Sequence, residues 1–483
     1  MSGDLRALGK ETVVYGLSTV LARLLNFLLL PFYTHFLAPG EYGAVAVLFS
    51  YIAFANYLFQ YGMDQAYMRY ASDKDGPGAE ACFSTAWLSL AATTLALSGV
   101  LMLGANHLAR LGGISDPLLV RYAAGILALD ALTIVPFAAL RLAHRRWMFV
   151  GIKSFHIVLN VLLNILLIGK LGFGVKGVFL ASLTAAAASL VLLAPVFAQY
   201  LRAHFDKHLW RNLLRFGLPL VPAGIGAMMV QVIDRPILQH YAGEAAVGIY
   251  QANYKLGIFM VLVVTMFDYA WRPFFLERKD RADAPRLFAQ VLTYFTAAAG
   301  WIALALSLFI GDIVQLEIMG ARLIHPDYWG GLSIVPIVLC AYVFHGMYIN
   351  FIAQVTIAKR TDLLVWVTLL GAAVNIGMNL WLIPQNGISG AAWATFAAYA
   401  AMALALFACG QRVWPIPYEY GRLAGLAAVL ALCGVAAAYS QTFSGPWSMT
   451  AAARLGILML APGLLLVSGF FSDDELRALR AQL

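Results

Sequence analysis

The chain has 483 residues, 62% of them hydrophobic and only 12% charged, against about 25% charged in a soluble domain. A water-soluble globular fold is excluded and a bilayer is implied. The net charge of +8 does not point to nucleic acid, because the basic residues sit in short loops between apolar runs and form no single patch.

The first apolar run covers 12–37 and follows Arg6 and Lys10. It exceeds the roughly 7–15 residues of a signal-peptide core, and no small-residue cleavage site closes it, so it is expected to be a membrane helix. Further bilayer-length stretches follow at 41–63, 80–104, 116–140, 148–169, 175–199, 213–241, 244–270, 286–310, 331–355, 362–384, 387–410, 421–440 and 451–471. The expected fold is an all-α integral membrane protein of about 14 transmembrane helices. The termini and the loops after even-numbered helices hold about 22 of the 32 Lys and Arg, and the loops after odd-numbered helices about five. The positive-inside rule then puts both termini in the cytoplasm.

Three stretches recur in order. Pro31, His35 and Gly43 return as Pro236, His240 and Gly248, an offset of 205. Leu142-Ala143-His144-Arg145-Arg146 returns as Ile357-Ala358-Lys359-Arg360-Thr361, and the stripe Asn160, Asn164, Ile168 as Asn375, Asn379, Ile383, both at an offset of 215. These offsets equal six helices, an even number, so the halves are parallel repeats of the kind that build transporters around a central substrate site. Residues 1–199 are expected to form one lobe (helices 1–6) and 213–410 the other (helices 7–12). The link 200–212, with Arg202, Lys207 and Arg211, is expected along the cytoplasmic surface. Two extra C-terminal helices and a cytoplasmic tail, 411–483, fall outside the duplication.

Polar residues inside these spans are the candidates for function, since ionisable groups in hydrocarbon are costly and face a bundle interior or wet cavity. In chain order they begin with Arg23 and Asn26 on helix 1. Lys153, His156, Asn160 and Asn164 share one face of helix 5, and Gln231, Arg235 and Gln239 one face of helix 7. Lys255 lies midway along helix 8, beside Gln251 and Asn253. Two readings stand. The asparagine stripes occur in both repeats and can be a packing seam held by hydrogen bonds; Lys153 can snorkel to an interface. Arg23, Arg235 and Lys255 are mid-span and suit contact with an anionic substrate. Asp130 and Asp234 are the embedded carboxylates, able to carry a coupling H+ or Na+ or to neutralise a neighbour. Asp234 and Lys255 lie at similar depth, so an ion pair and a proton site are both open.

Gly172-Phe173-Gly174-Val175-Lys176-Gly177 fits a dinucleotide fingerprint, but it lacks the preceding strand and reads as a tight external turn between helices. The cysteines Cys82, Cys340, Cys409 and Cys433 are scattered through apolar runs and read as structural thiols. No nucleophile triad, Walker loop or metal-ligand cluster is found, so neither an enzyme nor a resident cofactor is expected.

Gly217-Leu218-Pro219-Leu220-Val221-Pro222, then Asp234-Arg235 and Gly248-Ile249-Tyr250, resembles the start of the second lobe in Wzx-type polysaccharide flippases. Asn375, Asn379 and Ile383-Pro384, followed by Gly387, Gly390-Ala391-Ala392 and Ala394-Thr395, resembles their helix 11–12 junction. Gly62, Asp64, Ala66 and Arg69 resemble the end of their helix 2. These flippases belong to the multidrug/oligosaccharidyl-lipid/polysaccharide exporter superfamily, and the resemblance covers about residues 8–415.

The resemblance implies a V-shaped pair of lobes working by alternating access in the bacterial inner membrane. The implied substrate is an undecaprenyl-pyrophosphate-linked oligosaccharide repeat unit for O-antigen, capsule or exopolysaccharide. Membrane lipids and polysaccharide polymerase or glycosyltransferase proteins are the implied partners. Related lipid II flippases hold pyrophosphate with cavity arginines, a role matched here by Arg23; this chain has fewer such arginines. The multidrug branch relies on acidic residues in its first lobe, where this chain offers only Asp130. A cation-coupled drug antiporter and a membrane subunit of a polysaccharide synthase or export complex are the alternatives. The major facilitator signature after helix 2 is absent from the Asp64–Glu80 loop.

Overall fold

The structure is a computed structural model that describes residues 27–73, 76–318, 320–440 and 447–471. It is nearly all helical. In chain order the helices are α1 (27–36), α2 (Pro39–Gln60), α3 (Met63–Ala71), α4 (Ala79–Leu103), α5 (Ala105–Leu111), α6 (Pro117–Leu142) and α7 (Arg146–Asn164), the last running into a π-turn at Ile165–Lys170. Then follow α8 (Gly174–Leu192), α9 (Ala194–Tyr200), α10 (Lys207–Gly217), α11 (Leu220–Val232), α12 (Asp234–Leu256) and α13 (Ile258–Arg278). The last are α14 (Ala284–Gln315), α15 (Val335–Ile357), α16 (Asp362–Val413), α17 (Tyr420–Ser440) and α18 (Trp447–Val467). A two-stranded ribbon pairs Glu317 with Arg322.

Among the described residues, 12 segments are long and apolar enough to cross a membrane, and 27–36 is the described part of the first expected span. Two expected helix breaks appear as glycine bends inside continuous elements. Gly243 (φ 82°) folds α12 back on itself and Gly387 (φ 54°) divides α16. Positive φ is open to glycine without the Cβ clash that other residues meet. Gly172 and Gly174 are also left-handed (φ 68° and 52°) and make the tight turn expected of the stretch 172–177.

The duplication is visible in detail. Helices α6 and α15 end alike: His144 and Lys359 are left-handed (φ 54° and 56°). Arg145 N–H then reaches the Leu140 carbonyl at 2.9 Å, and Arg360 N–H the Val355 carbonyl at 2.8 Å. This is a Schellman-type cap. Neither residue is a glycine, so each conformation costs roughly 1–2 kcal/mol.

The chain forms two compact units. One holds everything described up to Lys255, with Ile324–Trp329 and Asn375–Ala391; the other holds Leu256–Leu323, Gly330–Val374 and the chain from Ala392 on. One core cluster of the first unit gathers Met63, Tyr67, Phe83, Leu90, Val135, Leu140, Leu209 and Leu213 from α3, α4, α6 and α10. Within it α2 and α12 touch backbone to backbone: a Cβ on Gly43 would overlap the Glu244 carbonyl, and one on Gly248 the Pro39 carbonyl. The repeat-related glycines therefore meet each other. Tyr328 is buried in the same unit, its hydroxyl donating to the Leu37 carbonyl while Asn253 Nδ2 donates to its carbonyl, both at 2.8 Å. In the second unit Leu304, Leu308, Cys433, Ala437 and Ala461 pack α14 against α17 and α18, and Arg454 pairs with Asp312.

Candidate functional site

The bend at Gly243 decides what Arg235 meets. It lays the second half of α12 beside the first, so residues about equally far from the bend face each other. Arg235 Nε donates to Gln251 Oε1 at 3.0 Å, and its guanidinium stands 4.6 Å from the Tyr254 ring and 5.5 Å from that of Tyr250. Its Nη1 donates to Asp234 Oδ1 at 2.6 Å and to the Gln231 carbonyl. The other Asp234 oxygen accepts from the Tyr250 hydroxyl at 2.5 Å. Asp234 is 2% exposed and Arg235 5%. Both are satisfied, as buried charges must be.

Lys255 is different. Its ammonium lies 5.4 Å from the Tyr42 ring and 5.8 Å from the Tyr33 ring. Among the described residues no carboxylate pairs with it and no side chain hydrogen-bonds it. The ion pair with Asp234 left open by depth alone is not formed, because Asp234 is taken by Arg235. Ring faces attract a cation but do not cancel its charge.

Arg235, Gln251 and Lys255 open onto a cavity of about 460 Å³ in the first unit. Its other walls include Tyr33, Tyr42, Phe49, Ser50, His156, Asn160 and Ser182. Asn160 Nδ2 donates to Ser182 Oγ at 3.2 Å, and His156 Nδ1 lies 3.0 Å from Ser189 Oγ. Asn164 is fully buried behind this wall and accepts from the Tyr33 hydroxyl at 2.9 Å.

The two asparagine stripes have the same internal geometry. Asn164 Nδ2 donates to the Asn160 carbonyl at 2.8 Å and to its Oδ1 at 3.0 Å; Asn379 does the same to Asn375 at 2.8 and 3.0 Å. Their surroundings have diverged. At the 215 offset, His156, Ser182 and Ser189 correspond to Gly371, Ala397 and Leu404, and at the 205 offset Tyr33 corresponds to Leu238. Asn375 Nδ2 and Asn379 Oδ1 are left without a partner among the described residues. Among the described residues, the seam shared by both repeats thus carries this His, Ser and Tyr wall in the first stripe, with apolar residues at the matching positions of the second.

The sequence candidates fall into groups. Asn160, Arg235 and Lys255 reach the cavity, with Asn164 and Asp234 directly behind it. Lys153 is exposed, its ammonium 4.1 Å from the Phe137 ring, and it interacts electrostatically with Asp130, to which Asn56 hydrogen-bonds. That pair lies outside the residues lining the cavity. Arg23 and Asn26 lie outside the described residues. Sequence reasoning missed the tyrosine collar of Tyr33, Tyr42, Tyr250 and Tyr254. Its signal was a phenol at membrane depth, which needs a polar partner.

A family model described as polysaccharide biosynthesis protein matches residues 8–278. No curated protein matches the sequence. Among solved structures, lipid II flippase MurJ in an inward closed conformation superposes with a TM-score of 0.75 at 14% identity, over 96% of this chain and 99% of that one. An inward-facing multidrug resistance MATE family transporter of the MOP superfamily gives 0.61 at 15% identity, over 81% and 94%. A MOP superfamily transporter from Pyrococcus furiosus gives 0.59 at 14% identity, over 84% and 95%. At such identities the likeness is one of fold: a multi-pass membrane transporter fold.

Proposed function

We propose that this chain, which belongs to the polysaccharide biosynthesis protein family, flips an undecaprenyl-pyrophosphate-linked oligosaccharide repeat unit across the bacterial inner membrane by alternating access. The observation that carries this reading is Lys255, a cation without a counter-charge among the described residues, beside a cavity walled by Asn160, Gln251, Ser50 and tyrosine rings. An uncompensated ammonium in a low-dielectric site attracts an anion. The amide and hydroxyl groups match sugar hydroxyls, and the rings match sugar faces.

In this scheme Lys255 holds the pyrophosphate or an acidic sugar, and Arg23 of helix 1 is its proposed partner. Arg235 and Asp234 form a neutral, hydrogen-bonding wall. Asp130 with Lys153 is the proposed place for a coupling H+ or Na+. The second unit holds an apolar cavity of about 650 Å³, lined from α14, α15 and α17 with Arg454 at its edge, suited to the lipid tail. The repeats 1–199 and 213–410 are the proposed moving lobes, with both termini cytoplasmic. No bond is made or broken, so the protein acts as a transporter and not an enzyme.

A drug antiporter is the second reading, given the fold. It is disfavoured because, among the described residues, the charge at the cavity that has no counter-charge is a cation, which repels cationic drugs, while the carboxylate behind it is paired with Arg235. A polymerase or glycosyltransferase partner belongs to the same proposal. The experiment is gene deletion, with measurement of carrier-linked oligosaccharide in the inner membrane and of surface polysaccharide. Carrier is expected to accumulate and surface glycan to vanish, restored by wild type but not by Lys255→Met. Unchanged carrier and glycan, with drug sensitivity altered instead, would move the assignment to the antiporter. Rescue that requires a co-expressed glycosyltransferase would point to a complex.

A further inference from the structure

Helix α10 carries Lys207, Arg211 and Arg215 at four-residue spacing, so the three cations share one face. All three are exposed. The opposite face is anchored. Leu209 and Leu213 enter the core with Met63, Tyr67 and Phe83, and Trp210 Nε1 donates to Ser89 Oγ at 2.8 Å. Asp206 caps the helix, accepting from the His208 and Leu209 amides at 2.8 and 3.1 Å. The basic face is held in place by this packing.

Nearby basic residues are answered by carboxylates: Arg202 by Glu80 at 3.0 Å and Arg141 by Asp64 at 3.5 Å. Among the described residues, Lys207, Arg211 and Arg215 have no ion pair and no side-chain hydrogen bond. Large apolar side chains flank the row and are exposed, Phe205 before it and Leu218 at its end, while Phe216 lies toward the anchored side with its ring 6.4 Å from that of Tyr70. Uncompensated cations rimmed by exposed apolar groups are the pattern of a helix lying at a bilayer surface with acidic headgroups.

We propose that α10 is a docking surface for anionic phospholipid. Headgroup phosphates sit on Lys207, Arg211 and Arg215, and Phe205 and Leu218 enter the acyl boundary. Free phosphate would answer the charges and leave the apolar rim in water; a phospholipid answers both. The proposal rests on the reading that this face is the cytoplasmic one, and not on what is transported.

The test titrates the full-length protein in detergent with phosphatidylglycerol or phosphatidylcholine and counts retained lipids by native mass spectrometry. Each cation near an anionic surface contributes roughly fivefold in affinity. The triple variant Lys207→Gln, Arg211→Gln, Arg215→Gln is therefore expected to lose one class of phosphatidylglycerol binding by roughly a hundredfold, with phosphatidylcholine binding and thermal unfolding unchanged. The swap Lys207→Arg, Arg211→Lys, Arg215→Lys is expected to keep it. Equal retention of both lipids by wild type, undiminished phosphatidylglycerol binding by the triple variant, or displacement of the lipid by millimolar inorganic phosphate would each overturn the proposal. A periplasmic reporter fused at residue 206 that proved active would remove the cytoplasmic placement on which the proposal rests and overturn it as well.

Discussion

Asp234, Arg235 and Lys255 look alike in the sequence, three embedded charges in one stretch, yet they have different tasks. Adjacent helical residues do not normally face each other. Asp234 and Arg235 meet because they open α12 just past the end of α11, and the bend at Gly243 brings Gln251, Tyr250 and Tyr254 to them. No pattern of spacing announces that convergence, so the sequence could nominate Arg235 as a substrate contact and not show that it is already neutral. Removing one partner of such a pair leaves a buried charge alone. Arg235→Ala is expected to destabilise the protein by about 3–5 kcal/mol, seen as a lower unfolding temperature, and Asp234→Asn with Arg235→Gln to recover part of it. Loss of transport in Arg235→Ala alone would then report stability. Lys255→Met is the cleaner probe. It is expected to abolish transport at undiminished stability, because it deletes a charge that has no counter-charge among the described residues; full transport by this variant would remove Lys255 from the site.

At the level of elements, the repeat markers were legible and their packing was not. Gly43 and Gly248 stood out only as the ends of matching stretches; in the structure they are where α2 and α12 cross without side chains between them. Gly43→Ala and Gly248→Ala are each expected to abolish folded yield, whereas Gly99→Ala, in open space within α4, is expected to be neutral or to stabilise by about 0.5–1 kcal/mol. Expression and thermal unfolding of the three variants compare the two cases. Polar stripes were legible as stripes, but whether Asn160 or Asn375 borders a cavity depends on facing residues such as Ser182 and Ala397, brought near by the fold. The entry to α6 offers a pH-dependent test. Asp116 caps it, accepting from Leu118 N–H at 2.8 Å and pairing with Lys176 at 2.9 Å. The Lys176 hydrogen bond, then the Leu118 amide, hold the Asp116 carboxyl below its ordinary pKa. A lowered folded pKa means the contribution is present above the ordinary carboxylate range, about pH 4, and lost as pH falls through the folded value. The gap in unfolding temperature between wild type and Asp116→Ala is therefore expected to shrink from pH 6 to pH 3.

For the whole molecule, hydropathy and duplication were enough to anticipate a nearly all-helical membrane protein, because spanning a bilayer forces every backbone group into a helix or a closed barrel. They located the breaks at Gly243 and Gly387, where a glycine coincides with a dip in apolarity. Side-chain pairing across those breaks was beyond them. The sidedness expected from the distribution of Lys and Arg is testable directly. Alkaline phosphatase fused after Gly113 is expected to be active and after Arg145 inactive; the reverse pattern would invert the orientation and with it the direction of transport proposed above.

The charges of α12 also bear on how the protein is made. An Asp, Arg or Lys near the centre of a lone helix costs roughly 2.5–3.5 kcal/mol at the insertion machinery, and this element brings three. Two of them can neutralise each other within the hairpin. Lys255 depends instead on the rings of Tyr33 and Tyr42, which belong to α1 and α2 and leave the ribosome long before it does. Biogenesis of this stretch therefore calls for the earliest helices to stay nearby and unsealed until α12 arrives.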